Sequence, residues 1–314
     1  MRFGIIDVGT NSIHLLIGAL GAGGKFRVML TERDATRLGE DGFRRGRLTS
    51  AAQRRALDVL RRYAAMMKRC DVERVEAVAT SAVRDAADGA DFVRRVRRQL
   101  GLPLRVISGR EEARLIYLGV LHAHRFRGAA ALIAVGGGST QVICADAARV
   151  RYARSLPLGG ARLAQQFIRH DPAWPEEMRA LTDHLRKSWK PVARAMRRHP
   201  WRAALGCSAT IRHVVMASYL RTHRHPPRRK EPLMIHRRAL TDLVSWLSRS
   251  TARERMQLPG LDPRREDAAL PTGIALLTWM EACDVSTVRY APGSIREGLV
   301  VDSLLRHRAE QRIS

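Results

Sequence analysis

The sequence predicts an α/β protein of two similar lobes around a central ligand cleft, the second lobe more helical than the first. Three observations carry this. The chain has 314 residues, 45% of them hydrophobic, enough at this length to bury two cores. Apolar strand-like runs alternate with amphipathic helical stretches. A strand, turn, strand pattern also occurs twice: Ile6-Asp7-Val8-Gly9-Thr10-Asn11-Ser12-Ile13 aligns with Ile133-Ala134-Val135-Gly136-Gly137-Gly138-Ser139-Thr140, matching the first glycine, the serine and most apolar positions, with Asp7 facing Ala134. Two copies of one hairpin, each opening a half of the molecule, imply an internal repeat.

Taken in order, Phe3 to Val8 and Ile13 to Leu20 read as the strands of the first hairpin, with Asp7 at its mouth. Lys25 to Thr31 reads as a third strand. Thr49 to Lys68 reads as an amphipathic helix opened by the Thr49-Ser50 cap signal. Val75 to Ala79 is a strand whose end delivers Thr80, Ser81 and Arg84 to the sheet edge, where ligands of α/β sheets commonly lie. A helix from Asp88 to Leu100 and a short strand Leu104 to Ile107 lead to Ser108-Gly109-Arg110-Glu111-Glu112. There Ser108 reads as an N-cap with Glu111 as its capping-box partner. Glu112, turned about 100° from Glu111 on the helix, is then the free carboxylate.

Leu132 to Cys144 forms the second hairpin, and Leu158-Gly159-Gly160-Ala161-Arg162 reads as a strand-to-helix turn or an ordinary bend. Helices are expected over Glu176 to Arg197, Ile211 to Leu220, His236 to Ser248, Asp267 to Cys283 and from Ser294 onward, with strands at Trp201 to Leu205 and Ser286 to Tyr290. The tract Arg221 to Lys230, basic and broken by Pro226 and Pro227, reads as a loop. A domain boundary suits His122 to Gly128.

The formal charge is +26 and the pI is near 11.5. A field of that sign attracts polyanions, although the preference for arginine over lysine is also what coding bias produces. No secretory signal or run of about 20 apolar residues is present, so a cytoplasmic protein without membrane contact is expected. Cys70, Cys144, Cys207 and Cys283 lack pairwise metal-ligand spacing and read as reduced core thiols.

The chemistry-bearing residues cluster in the turns. Glycines remove Cβ atoms from a bend, so that backbone N–H groups can converge on an oxyanion, and Ser139 and Thr140 add hydroxyls. Asp7 either binds a cation or water beside phosphate oxygens or simply caps its turn. Arg84 either forks onto phosphate oxygens or pairs at the surface with Asp85 or Asp88. Glu112 either orients an attacking water as general base or complements the helix dipole. His14 reads as a packing residue.

In this order and spacing the two hairpins, the Thr80-Ser81-Ala82-Val83-Arg84 segment and the Ser108-Gly109-Arg110-Glu111-Glu112 helix start resemble the exopolyphosphatase / guanosine pentaphosphate phosphohydrolase (Ppx/GppA) family. Gly206-Cys207-Ser208-Ala209-Thr210 looks like that family's second-lobe turn, and Ser294-Ile295-Arg296-Glu297-Gly298-Leu299 looks like its closing helix. The resemblance implies actin-like (ribonuclease-H-like) lobes and release of terminal phosphate from polyphosphate or guanosine pentaphosphate, aided by magnesium. Carried over by motif, Glu112 and Asp7 are the catalytic pair and the metal ligands. Thr10, Asn11, Ser12, Arg84, Gly136, Gly137, Gly138, Ser139 and Thr140 form the phosphate-contacting set. The lobes are expected at 1–124 and 125–314, with the helix over 296–314 packing back on the first.

The family usually writes its second hairpin D-I-G-G-G-S-T-E, so Ala134 and Gln141 stand where it has an aspartate and a glutamate. Two neutral groups weaken a magnesium site, and Gln141 cannot take a proton from water. The alternative is therefore a catalytically weak or inactive protein that binds polyphosphate or guanosine tetraphosphate. Glu297 is a candidate to fill the vacancy left by Ala134. A sugar kinase of the same fold and a nucleic-acid binder are further readings. No adenosine-cradling motif supports the first and no recognition helix or stacking motif the second. The expected partner is polyphosphate or a guanosine polyphosphate nucleotide, with no sequence-specific nucleic acid, and a homodimer is open.

Overall fold

The computed structural model describes residues 1–21, 26–124, 128–223, 225–228 and 231–310. Lys25, residues 125–127 of the expected boundary, and Arg224, Arg229 and Lys230 of the basic tract lie outside these. The chain divides into two units, Met1–His122 with Ser294–Ser314, and Ala123–Gly293.

In the first unit β1 (Arg2–Val8), β2 (Ile13–Leu20), β3 (Phe26–Asp34), α1 (Gly42–Arg45), α2 (Ser50–Arg69), β4 (Arg74–Ala79), α3 (Ser81–Arg84), α4 (Gly89–Leu100), β5 (Leu104–Val106) and α5 (Gly109–Ala123) follow in sequence. The sheet runs β3-β2-β1-β4-β5, antiparallel through the hairpin and parallel from β1 to β4 to β5. Because β1 is central it is apolar on both faces, and strand alternation sorts its side chains. Ile6 and Val8 join Ile13, Leu15 and Ile17 in one core, shared with residues of α2 and α4. Ile5 joins Leu16 and Val78 on the other face, packed with Leu115 of α5 and Leu299 and Val300 of the last helix. Asp7 shares the parity of Ile5, so it too points to the second of these faces.

Local chemistry explains the boundaries. The Thr49 hydroxyl accepts from Ala52 N at 3.2 Å and caps α2 as expected. Thr80 to Arg84, read as a strand end, instead turns helical, because the Thr80 carbonyl accepts from Val83 N and Arg84 N at 3.1 and 2.9 Å. Ser108 caps α5 through its hydroxyl, which accepts from Glu111 N at 3.1 Å. The Glu111 carboxylate takes Arg105 Nη1 at 2.7 Å, an ion pair in place of the expected capping-box bond.

In the second unit come β6 (Ala130–Val135), β7 (Thr140–Ala145), β8 (Val150–Leu156), α6 (Gly160–Phe167), α7 (Pro175–Met196), β9 (Ala203–Cys207), α8 (Ala209–Thr222), β10 (Met234–His236), α9 (Arg237–Arg249), α10 (Ala252–Gln257), α11 (Glu266–Ala282) and β11 (Thr287–Tyr290). Its sheet runs β10-β11-β9-β6-β7-β8. Trp189 and Trp279 sit wholly buried in its core, the indole of Trp189 donating to Thr278 Oγ1 at 3.0 Å. The edge strands β8 and β10 and the short helices α1 and α10 are not in the sequence reading, whereas the strand-to-helix alternative for residues 158–162 is what forms, between β8 and α6. The chain then returns to the first unit as α12 (Ile295–Glu310).

The internal repeat is structural. Read from β8, the second sheet places β8, β7, β6, β9 and β11 where the first has β3, β2, β1, β4 and β5. Asp7 pairs across the hairpin with His14, and Ala134 pairs with Gln141 at the same register. Each turn is closed by the same bond, Gly9 N to Ser12 O at 3.1 Å and Gly136 N to Ser139 O at 2.8 Å. Among the described residues no helix is long and apolar enough to cross a membrane. All four cysteines are free, Cys144 and Cys207 buried.

Candidate functional site

Strand parity places Asp7 on the sheet face that α5 and α12 cover, and both helices bring charge to it. These helices cross at backbone contact: a Cβ on Gly298 would lie 1.9 Å from the Leu115 carbonyl oxygen, and one on Gly119 would lie 2.2 Å from that of Ser294. No side chain fits there, so the crossing is fixed by glycine, and Arg296 and Glu297 are held beside the hairpin. The Asp7 carboxyl is pushed up to about 7, chiefly by burial, against the opposing pull of Arg296 and with a further push from Glu112 and Glu297. Its Oδ1 is sealed from solvent and has no hydrogen-bond partner among the described residues. An unsatisfied buried carboxylate oxygen is costly to a fold.

Glu112 is not the free carboxylate of the sequence reading. It is 5% exposed, and Arg84 Nη1 donates to its Oε2 at 3.0 Å and to the Ile107 carbonyl at 3.1 Å. Of the two surface partners expected for Arg84, Asp85 is the one it meets, through Nε at 3.4 Å. Asp88 is engaged by Leu48 N and Gln53 Nε2. A carboxylate buried this deeply needs a cation to stay charged, and α3, the turn that replaces the expected strand end, supplies it.

The remaining first-hairpin residues are tied down. The Thr10 hydroxyl is 3.3 Å from that of Ser81, while the carbonyls of Thr10 and Asn11 accept from Gly39 N and Arg37 N. The Ser12 hydroxyl accepts from Arg33 Nε at 3.4 Å. His14, expected to pack, is 3.3 Å through Nδ1 from Arg296 Nη1. Arg296 also faces Glu297 Oε1 at 3.4 Å, and the Ser294 hydroxyl donates to Glu297 Oε2. The sequence reading missed Arg296 and His14. The hairpin register, which sets His14 opposite Asp7, was the available signal for the second.

In the second unit the triple-glycine turn is braced from below by the start of α6. Gly160 N, Arg162 N and Arg162 Nε donate to the carbonyls of Gly136, Gly137 and Gly138 at 2.9, 3.0 and 2.8 Å. Gly159 makes this approach possible, since a Cβ there would lie 2.4 Å from backbone atoms of Gly137 and Gly138. The Thr140 hydroxyl, expected to face phosphate, donates to the Leu158 carbonyl at 2.7 Å, because a buried hydroxyl takes the nearest unmet acceptor. Gln141 Nε2 donates to the hydroxyls of Ser139 and Ser155, each at 3.0 Å. The Gly206 to Thr210 segment adds the Ser208 hydroxyl, which donates to the Val135 carbonyl at 2.9 Å.

These donor sets differ in their fitness for magnesium, which is commonly held by one or two carboxylates together with water and substrate oxygens. The first hairpin fits: Asp7 has an unmet carboxylate oxygen. Glu112 has an oxygen already committed to Arg84 and Glu297 is engaged through both of its own. The second hairpin does not fit, with a methyl and a carboxamide at its strand ends. Among the described residues no group of three or more His, Cys, Asp or Glu side chains is arranged to bind a metal.

A sequence model of the Ppx/GppA phosphatase family matches residues 17–307. Exopolyphosphatase 1 of Mycobacterium tuberculosis is 28% identical over 306 residues, covering 97% of this chain and 88% of the relative. The crystal structure of an exopolyphosphatase from Cytophaga hutchinsonii superposes with a TM-score of 0.88 at 25% identity, covering 97% of this chain and 98% of that one. The Ppx/GppA family member of Aquifex aeolicus gives 0.79 at 27% identity, covering 98% of each chain. The chain belongs to the Ppx/GppA phosphatase family.

Proposed function

We propose that the protein hydrolyses phosphoanhydride bonds, releasing terminal phosphate from linear polyphosphate. Glu112 serves as general base, and its burial against Arg84 is the observation that carries the reading. Glu112 takes a proton from water as the water oxygen bonds to the terminal phosphorus. The bridging P–O bond breaks, and the shortened chain leaves with the electron pair. Arg84 holds Glu112 in place, and its remaining N–H groups suit phosphate oxygens. Asp7 is the residue that would hold magnesium, which supplies charge neutralisation to phosphate oxygens when bound. The triple-glycine turn, with Ser139, provides N–H and hydroxyl donors for phosphate, while Thr140 acts as its brace.

The polyphosphate preference rests on the likeness to the two exopolyphosphatases, and guanosine pentaphosphate is the competing substrate of the same chemistry. Phosphate release from both, with magnesium present, tests the reading. Wild type should release phosphate, and Glu112→Gln should be slower by about 10²- to 10⁴-fold, the usual contribution of a positioned base. Ala134 and Gln141 favour a second reading, a binder without turnover. Tight polyphosphate binding by a wild type that releases no phosphate would establish that reading in place of the first.

A further inference from the structure

The second hairpin of this chain is built for an anion and against a cation. Its strand ends carry Ala134 opposite Gln141, neither of which bears charge. Backbone carbonyls, the other oxygen ligands a turn can offer a hard cation, are already taken: those of Gly136, Gly137 and Gly138 each accept a bond from α6. Two of those bonds come from Arg162, a residue 9% exposed whose Nε lies against the Gly138 carbonyl. The guanidinium polarises the peptide it bonds. Gln141 spends its Nε2 protons on Ser139 and Ser155 and brings no negative charge to the turn.

Accepting the phosphate-handling role proposed above, we infer that the second hairpin holds phosphate without a bridging metal ion, its glycine turn fixed from α6 by Gly160 and Arg162. The turn and its brace form a metal-independent oxyanion site, and any cation requirement of turnover belongs to the first hairpin.

Calorimetric titration with inorganic phosphate, with magnesium and with EDTA, tests this in wild type and in Asp7→Asn, so that a cation at the first hairpin cannot imitate one at the second. Phosphate should bind both proteins in EDTA, and in Asp7→Asn the affinity should change by less than about threefold when magnesium is added. Ala134→Asp combined with Gln141→Glu, checked for folding by thermal melting, should weaken binding in EDTA by about tenfold or more through repulsion, with magnesium restoring it. Loss of wild-type binding in EDTA while phosphate release with magnesium persists would overturn this inference and leave the hydrolase reading standing. Unchanged binding by the double variant in EDTA would equally overturn it. No phosphate binding in either buffer, together with no release from polyphosphate, would bring down both.

Discussion

Replacing Asp7 by asparagine should stabilise the protein, and by an amount that grows with pH. The carboxyl is raised from 3.8 to about 7 in the folded chain, so between those values the folded state binds more protons than the unfolded state. Stability therefore falls as pH rises through that window, and the full cost is present above it. A shift of about three units, at about 1.36 kcal/mol each, puts that cost near 4 kcal/mol. Roughly a third of it is already present near pH 5, and the rest develops by about pH 8. Asparagine resembles the protonated acid and carries no such cost. Urea denaturation of wild type and Asp7→Asn near pH 5 and near pH 8 measures the difference, which should widen by roughly 2–3 kcal/mol at the higher pH. An equal difference at both pH values would refute the buried, destabilised carboxylate. This hairpin stores an unfavourable charge that a proton relieves.

Arg296 opposes the rise at Asp7, so Arg296→Met should push the carboxyl higher still. The pH window over which Asp7 costs stability then extends further to the alkaline side, as the same denaturation series reads. Gly298→Ala places a methyl inside contact distance of the Leu115 backbone and should cost about 1–3 kcal/mol or more by thermal melting, because backbone cannot move aside as a side chain can. Thr49→Ala removes the α2 cap and should cost about 1 kcal/mol with phosphate release unchanged, which separates loss of stability from loss of the site. Activity that fell in proportion to stability in this variant would show that the two are coupled.

The duplicated hairpin was legible because its pattern is local. Gly9 and Gly136, Ser12 and Ser139, and the alternating apolar residues recur at fixed offsets, and the matching registers of Asp7 with His14 and Ala134 with Gln141 follow from them. Helices with strong apolar periodicity, such as α2 and α7, were legible for the same reason. The edge strands β8 and β10 were not, since edge strands carry weak alternation and depend on a neighbouring strand for their hydrogen bonds. The helical turn at Ser81–Arg84 was hidden by the β-branched Thr80 and the apolar run before it.

From the sequence alone came the α/β class, the repeat, the two neutral residues of the second hairpin and the residue types expected to meet phosphate. All of these reside in neighbours along the chain. Tertiary structure alone decided which charges meet. Arg84 and Glu112 are far apart in sequence yet 3.0 Å apart in space, and Arg296 and Glu297 reach the Asp7 hairpin from the far end of the chain only because Gly119 and Gly298 let two helices touch. The pKa of a carboxyl depends on burial and on the charges around it, and long-range folding sets both. Asp7 could therefore be named from the sequence, but its unmet oxygen and raised pKa could be read only from the fold.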